Sequence, residues 1–148
     1  MNLTATIVLA AAAAFNVTPA QVSTLAAPMP QVQTVEEYVR DYFADEPILA
    51  EVASCESHFR QFDSNGNVLK NANSSAIGIM QIMASVHSET AAELGLDPTT
   101  MQGNLAYAKY LYDKNGLSPW NASKACWSKS QAYKDLQSAQ AKLAINKN

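Results

Sequence analysis

The sequence predicts one mainly helical α+β domain with a small β-hairpin. Three observations predict it. Apolar residues recur at helical spacing over several segments from Val35 to Leu111. That rhythm breaks once, where short apolar runs flank a polar Asn65-Gly66 turn. The chain has 148 residues, enough to bury one core and not two.

The N-terminus comes first as a processing question. Ala5–Phe15 is an apolar run too short to span a bilayer, which takes about 20 residues. It has the length of a signal-peptide core, and Thr24-Leu25-Ala26 offers a small-residue cleavage site, although no Lys or Arg precedes Arg40. Residues 1–26 are therefore expected to be an export signal and the protein to be secreted or held in the cell envelope. Residues 27–34, with Pro28 and Pro30, form a linker. The domain proper is expected over 35–127, followed by a polar tail over 128–148.

Thr34 and Glu37 have capping-box spacing at the start of a first helix whose apolar face is Val35, Tyr38, Val39, Tyr42 and Phe43. That helix ends before Pro47, which in turn suits the first turn of a second helix running to about Phe59. Arg60–Asp63 and Val68–Lys70 are expected as the strands of the hairpin. Asp63, Asn65 and Asn67 imitate a calcium loop, but the glycine precedes the third of them instead of following it. Gly78–Met83 is apolar around one amide, Gln81, and suits the buried start of a helix. Ser88 is expected to cap a helix that stops at Gly95, and Asp97-Pro98 to open another that ends at Asn115-Gly116. Ser118-Pro119-Trp120 suggests a short helix or turn leading into Cys126-Trp127. The tail has only Tyr133, Leu136 and Leu143 as an apolar stripe and is expected to pack weakly.

Composition excludes several classes. A net charge of −3 without a basic stripe argues against a nucleic-acid partner. Cys55, Cys126, His58 and His87 make no zinc spacing, so neither metal nor cofactor is expected. In an exported domain with just these cysteines, Cys55 and Cys126 have one intramolecular pairing open to them, a disulfide.

The residue that stands out is Glu56. At about 100° per residue it falls roughly 20° from Leu49 and roughly 40° from Val52, inside the apolar stripe, whereas Glu51 points away. Such a carboxyl finds partners, keeps its proton because burial disfavours the ion, or merely snorkels from the edge.

Three segments, Cys55-Glu56-Ser57, Gly78-Ile79-Met80-Gln81 and the helix carrying Asn104, Ala108, Tyr110 and Leu111, occur in one order. Together with the closing Pro119–Trp127 stretch, they resemble the lysozyme-like soluble lytic transglycosylases, short secreted bacterial members in particular. The resemblance covers about Ile48 to Trp127. It implies a lysozyme-like fold with the hairpin beside an active-site cleft, peptidoglycan glycan strands as substrate, and Glu56 as general acid and base. Cleavage between N-acetylmuramic acid and N-acetylglucosamine would leave 1,6-anhydro ends, with no second carboxylate required. Substrate-binding roles would fall to Ser57, Met80, Gln81, Tyr107 or Tyr110, and Trp120, with aromatic core packing the competing use of the last three. A hydrolysing muramidase on the same fold and a silent glycan-binding module are the alternatives. A monomer is expected.

Overall fold

The structure, a computed structural model, describes residues 32–146. The expected signal segment and the start of the linker lie outside the described residues. Helix α1 spans Val35–Tyr42 and opens on the expected capping box: the Thr34 amide donates to Glu37 Oε2 (2.7 Å) and the Glu37 amide to Thr34 Oγ1 (3.2 Å). Val39 and Phe43 carry its buried face.

Helix α2, Pro47–Ser57, is the centre of the domain. Ile48, Leu49, Ala50, Val52, Ala53 and Ser57 are all buried, so the helix is enclosed around more of its circumference than the one stripe read from periodicity. Glu51 faces away and pairs with Arg40 of α1 (2.9 Å). No glycine ends α2. Instead His58 (φ 55°) and Phe59 (φ 59°) turn the chain through the left-handed region, a conformation that non-glycine residues rarely adopt.

The hairpin is not where the Asn-Gly turn predicts it. Strands β1 (Ala76–Ile77) and β2 (Ile82–Met83) pair antiparallel, with Ile77 opposite Ile82, and Gly78–Gln81 form the turn between them. Gly78–Met83 is thus a hairpin tip and second strand, not a helix start. Around Asn65-Gly66 only a single bridge, Phe62 to Val68, survives. The reason is local: Asp63 Oδ1 accepts from the amides of Asn65 (2.8 Å) and Asn67 (3.0 Å), so a side chain takes donors a ladder would have used. This segment still borders the hairpin, since the Gly78 amide reaches the Leu69 carbonyl (2.8 Å).

Helix α3, Ala84–Glu93, begins earlier than Ser88. Its first amides are met by Ser75 across the hairpin base, Ala84 N on the backbone carbonyl (3.0 Å) and Ser85 N on Oγ (3.2 Å). Helix α4, Met101–Asn115, begins later than Asp97-Pro98, with Thr100 Oγ1 capping Gly103 N (3.0 Å). Asp97 organises the preceding turn instead, accepting from the amide and hydroxyl of Thr99. A 3-10 segment, Ser118–Ser123, leads into the short α5, Lys124–Trp127. Helix α6, Gln131–Ile145, contains no buried residue; Ala132, Tyr133 and Leu136 rest partly buried on the core, whereas Leu143 is exposed. Among the described residues no helix is long and apolar enough to cross a membrane.

Candidate active site

Glu56 stands on the last turn of α2, half-buried, between the core and solvent. Its Oε1 accepts a short hydrogen bond from Ser123 Oγ (2.6 Å), brought across by the 3-10 segment. Among the described residues no buried side-chain polar atom is left without a partner, and Oε2 bonds to no protein group, so Oε2 is the oxygen open to solvent. Burial pushes the carboxyl above its ordinary value, and the Ser123 hydroxyl offsets part of that rise by favouring the charged form. A carboxyl so placed holds a proton at higher pH than a free one and can deliver it.

The disulfide Cys55–Cys126 joins the residue beside Glu56 to α5. Further ties run through the hairpin tip, where the backbone groups of Ile79 and Met80 are met by side chains from four other parts of the chain. Ile79 N donates to Gln61 Oε1 (2.8 Å), and Ile79 O accepts from Ser57 Oγ (2.8 Å). Met80 N donates to Asn104 Oδ1 (2.9 Å), and Met80 O accepts from Trp120 Nε1 (2.9 Å). The two amides finish the clamp with their nitrogens, Gln61 on the Pro98 and Thr99 carbonyls and Asn104 on the Ile77 and Pro98 carbonyls. Strands this short cannot hold a turn rigidly on ladder bonds alone; the clamp does it.

The structure therefore gathers Ser57, Met80, Trp120 and Glu56 into one connected framework. Ser57, Met80 and Tyr107 are at most 1 % exposed and Trp120 is 3 % exposed, so these side chains lie behind the surface. The Tyr107 hydroxyl bonds to His87 Nδ1 (3.1 Å), and its ring lies against Tyr110, centroids 5.5 Å apart. Tyr110 and Gln81 are half-exposed; Gln81 sits at φ 49° with its amide nitrogen on the Gly78 carbonyl (2.8 Å), leaving its amide oxygen uncommitted. An apolar groove of about 450 Å³ between the start of α2 and α6 includes none of these residues. Sequence reasoning did not single out Gln61 or Ser123. Neither carries a pattern: a glutamine in a predicted strand and a serine in a turn are common, and only their burial and partners distinguish them.

The transglycosylase SLT domain family model matches residues 33–124, well over half the chain, from just before α1 to just past Ser123. The chain belongs to the transglycosylase SLT domain family. Neither a curated protein nor a solved structure matches it. At family level this is a lytic-transglycosylase-type function directed at peptidoglycan. The mainly helical architecture with its two-stranded sheet is the lysozyme-like α+β fold expected of an SLT domain.

Gly78 shows how little freedom this SLT domain has at the hairpin tip. Its φ is +70°, and a Cβ there would sit 2.4 Å from Asn104 Nδ2 and 2.6 Å from Gln61 Oε1. Gly78→Ala must strain the backbone and push apart both clamping amides, so a loss of about 2–3 kcal/mol is expected. Thermal melting checks it: a variant that melts with the parent would show the clamp to be slack.

Proposed function

We propose that this SLT domain is a lytic transglycosylase that cleaves the β-1,4 bond between N-acetylmuramic acid and N-acetylglucosamine, with Glu56 as general acid and then general base. Glu56 Oε2 gives its proton to the glycosidic oxygen as that bond breaks. The C6 hydroxyl of the same N-acetylmuramic acid residue attacks the anomeric carbon and returns its proton to Glu56, leaving a 1,6-anhydro end and a regenerated acid. The observation that carries this reading is a half-buried carboxyl, raised by burial, with one oxygen held by Ser123 and the other open. A hydrolase with two acidic groups would set a second carboxylate opposite the first. The carboxylates nearest Glu56 in sequence are engaged elsewhere, Glu51 with Arg40 and Asp63 with its own turn.

In this reading Ser57, Met80, Tyr107 and Trp120 shape the site from behind, while the free amide oxygen of Gln81 and the exposed part of Tyr110 meet sugar. The disulfide supports an oxidising compartment, and hence an exported protein.

Digestion of purified sacculi followed by product mass analysis tests the proposal. Muropeptides ending in 1,6-anhydro-N-acetylmuramic acid are expected. Products heavier by one water would make the protein a hydrolysing muramidase. Binding without any product at any pH would make it a glycan-binding module.

A further inference from the structure

Ser123 Oγ has one hydrogen and two acceptors within reach, Glu56 Oε1 at 2.6 Å and the Trp120 carbonyl at 3.1 Å. The second also accepts the indole N–H of Trp127 (2.9 Å), and a carboxyl oxygen is the stronger acceptor when ionised. The contact to Glu56 is the shorter (2.6 against 3.1 Å), and the hydroxyl donates there by preference. Trp120, whose carbonyl accepts from Trp127 and whose own indole N–H is fixed on Met80, anchors the turn that presents it.

We propose that Ser123 is the positioning residue that decides which Glu56 oxygen carries the transferable proton: by donating to Oε1 it keeps that oxygen an acceptor, and the proton resides on the open Oε2. This rests on the function proposed above and adds to it a device for aiming the acid. Without the hydroxyl, a proton on Oε1 would point toward the 3-10 segment, away from any ligand, and half of the protonated carboxyls would be misdirected or rotating. In the cycle the Ser123 hydrogen stays on its oxygen. The proton that moves leaves Oε2 for the glycosidic oxygen and returns to Oε2 from the attacking hydroxyl. No ion pair among the described residues competes for Glu56. Glu51 is paired with Arg40, Glu46 and Asp113 with Lys109, and Lys124, next to Ser123 on α5, forms no ion pair with it. His58, two residues on, is exposed and makes no hydrogen bond to it.

The test uses the whole chain. The Glu56 carboxyl is titrated by carbon NMR in wild type, Ser123→Ala and Ser123→Thr, and the rate of sacculus digestion is followed against pH for each. Ser123→Ala is expected to slow digestion about twofold through the misdirected half of the acids, and up to about tenfold because the lost bond also stabilised the carboxylate formed as the proton leaves. It should also move both the carboxyl titration and the alkaline limb of activity to higher pH, because the lost bond favoured the ion. Ser123→Thr keeps the hydroxyl and should restore both. Ser123→Gly removes the same hydroxyl and replaces the alanine variant if that one does not fold. A folded variant without the hydroxyl whose Glu56 titrates as in wild type overturns the proposal, whatever its activity. A wild-type chain that cleaves no glycan, yet whose Glu56 titration follows Ser123, overturns the proposed function and supports the positioning.

Discussion

Glu56→Gln is expected to cut glycan cleavage by about 10²–10⁴-fold while the variant melts at or above the wild-type temperature at neutral pH. The amide is nearly isosteric and still accepts from Ser123 through its oxygen, but it has no acidic proton to deliver. The stability half follows from linkage. Burial raises the folded-state pKa of Glu56 above its unfolded value, so between those values the native state binds more protons. Stability contributed by this group is therefore present at low pH and is lost as pH rises through the folded pKa. Above that window the native state carries a desolvated carboxylate, a cost glutamine does not incur. Activity should fall over the same alkaline window in the wild type, as the acid loses its proton, and the limb should vanish in the variant. Near-normal turnover by a folded Gln variant would remove Glu56 from the chemistry.

That opposition of function and stability at one residue also makes Glu56 legible in the sequence. A carboxylate three residues before Phe59, four after Val52 and seven after Leu49 conflicts with the apolar stripe it shares, and such conflicts mark sites. Two helix starts were legible from local signals, the Thr34 capping box of α1 and Pro47 in the first turn of α2. Two others were misplaced: the first amides of α3 find a partner far away in sequence, and α4 takes Thr100 as its cap in place of Asp97. Ser75, not Ser88, serves the start of α3, and the Asp97-Pro98 signal was absorbed into a turn whose carbonyls are taken by Gln61 and Asn104. The hairpin failed for the same reason in reverse. Asn65-Gly66 has strong local turn chemistry, but Asp63 satisfies that turn by itself. Gly78–Gln81 has weak turn chemistry and is held by tertiary bonds from Ser57, Gln61, Asn104 and Trp120. No window of sequence contains those partners.

Removing the Cys55–Cys126 bridge should have the largest effect on stability of any single cross-link in the domain. The half-cystines are 71 residues apart, and a loop of that length is worth about 4 kcal/mol in the chain-entropy model. For a domain of this size that corresponds to roughly 15–20 °C in melting temperature. The bridge also differs from the other ties in where it acts. Trp120 fastens the 3-10 segment to the hairpin tip and Ser123 fastens it to the acid, but the disulfide alone joins the C-terminal turn of α2 to α5 covalently. With the bridge gone, the Ser123–Glu56 bond is the one tie left at the acid itself, beside the packing of Trp120 and Trp127 in the core, and one hydrogen bond contributes only about 1–3 kcal/mol. The alignment of acid and hydroxyl should therefore loosen before the fold does. Reduction, or Cys55→Ala with Cys126→Ala, is expected to lower activity at temperatures where circular dichroism still reports a folded domain. Melting curves with and without reductant, beside activity at a temperature below both transitions, separate the two effects. Matching melting temperatures would rule out the stabilising role, and unchanged activity below the transition would show that Ser123 keeps its place without the bridge.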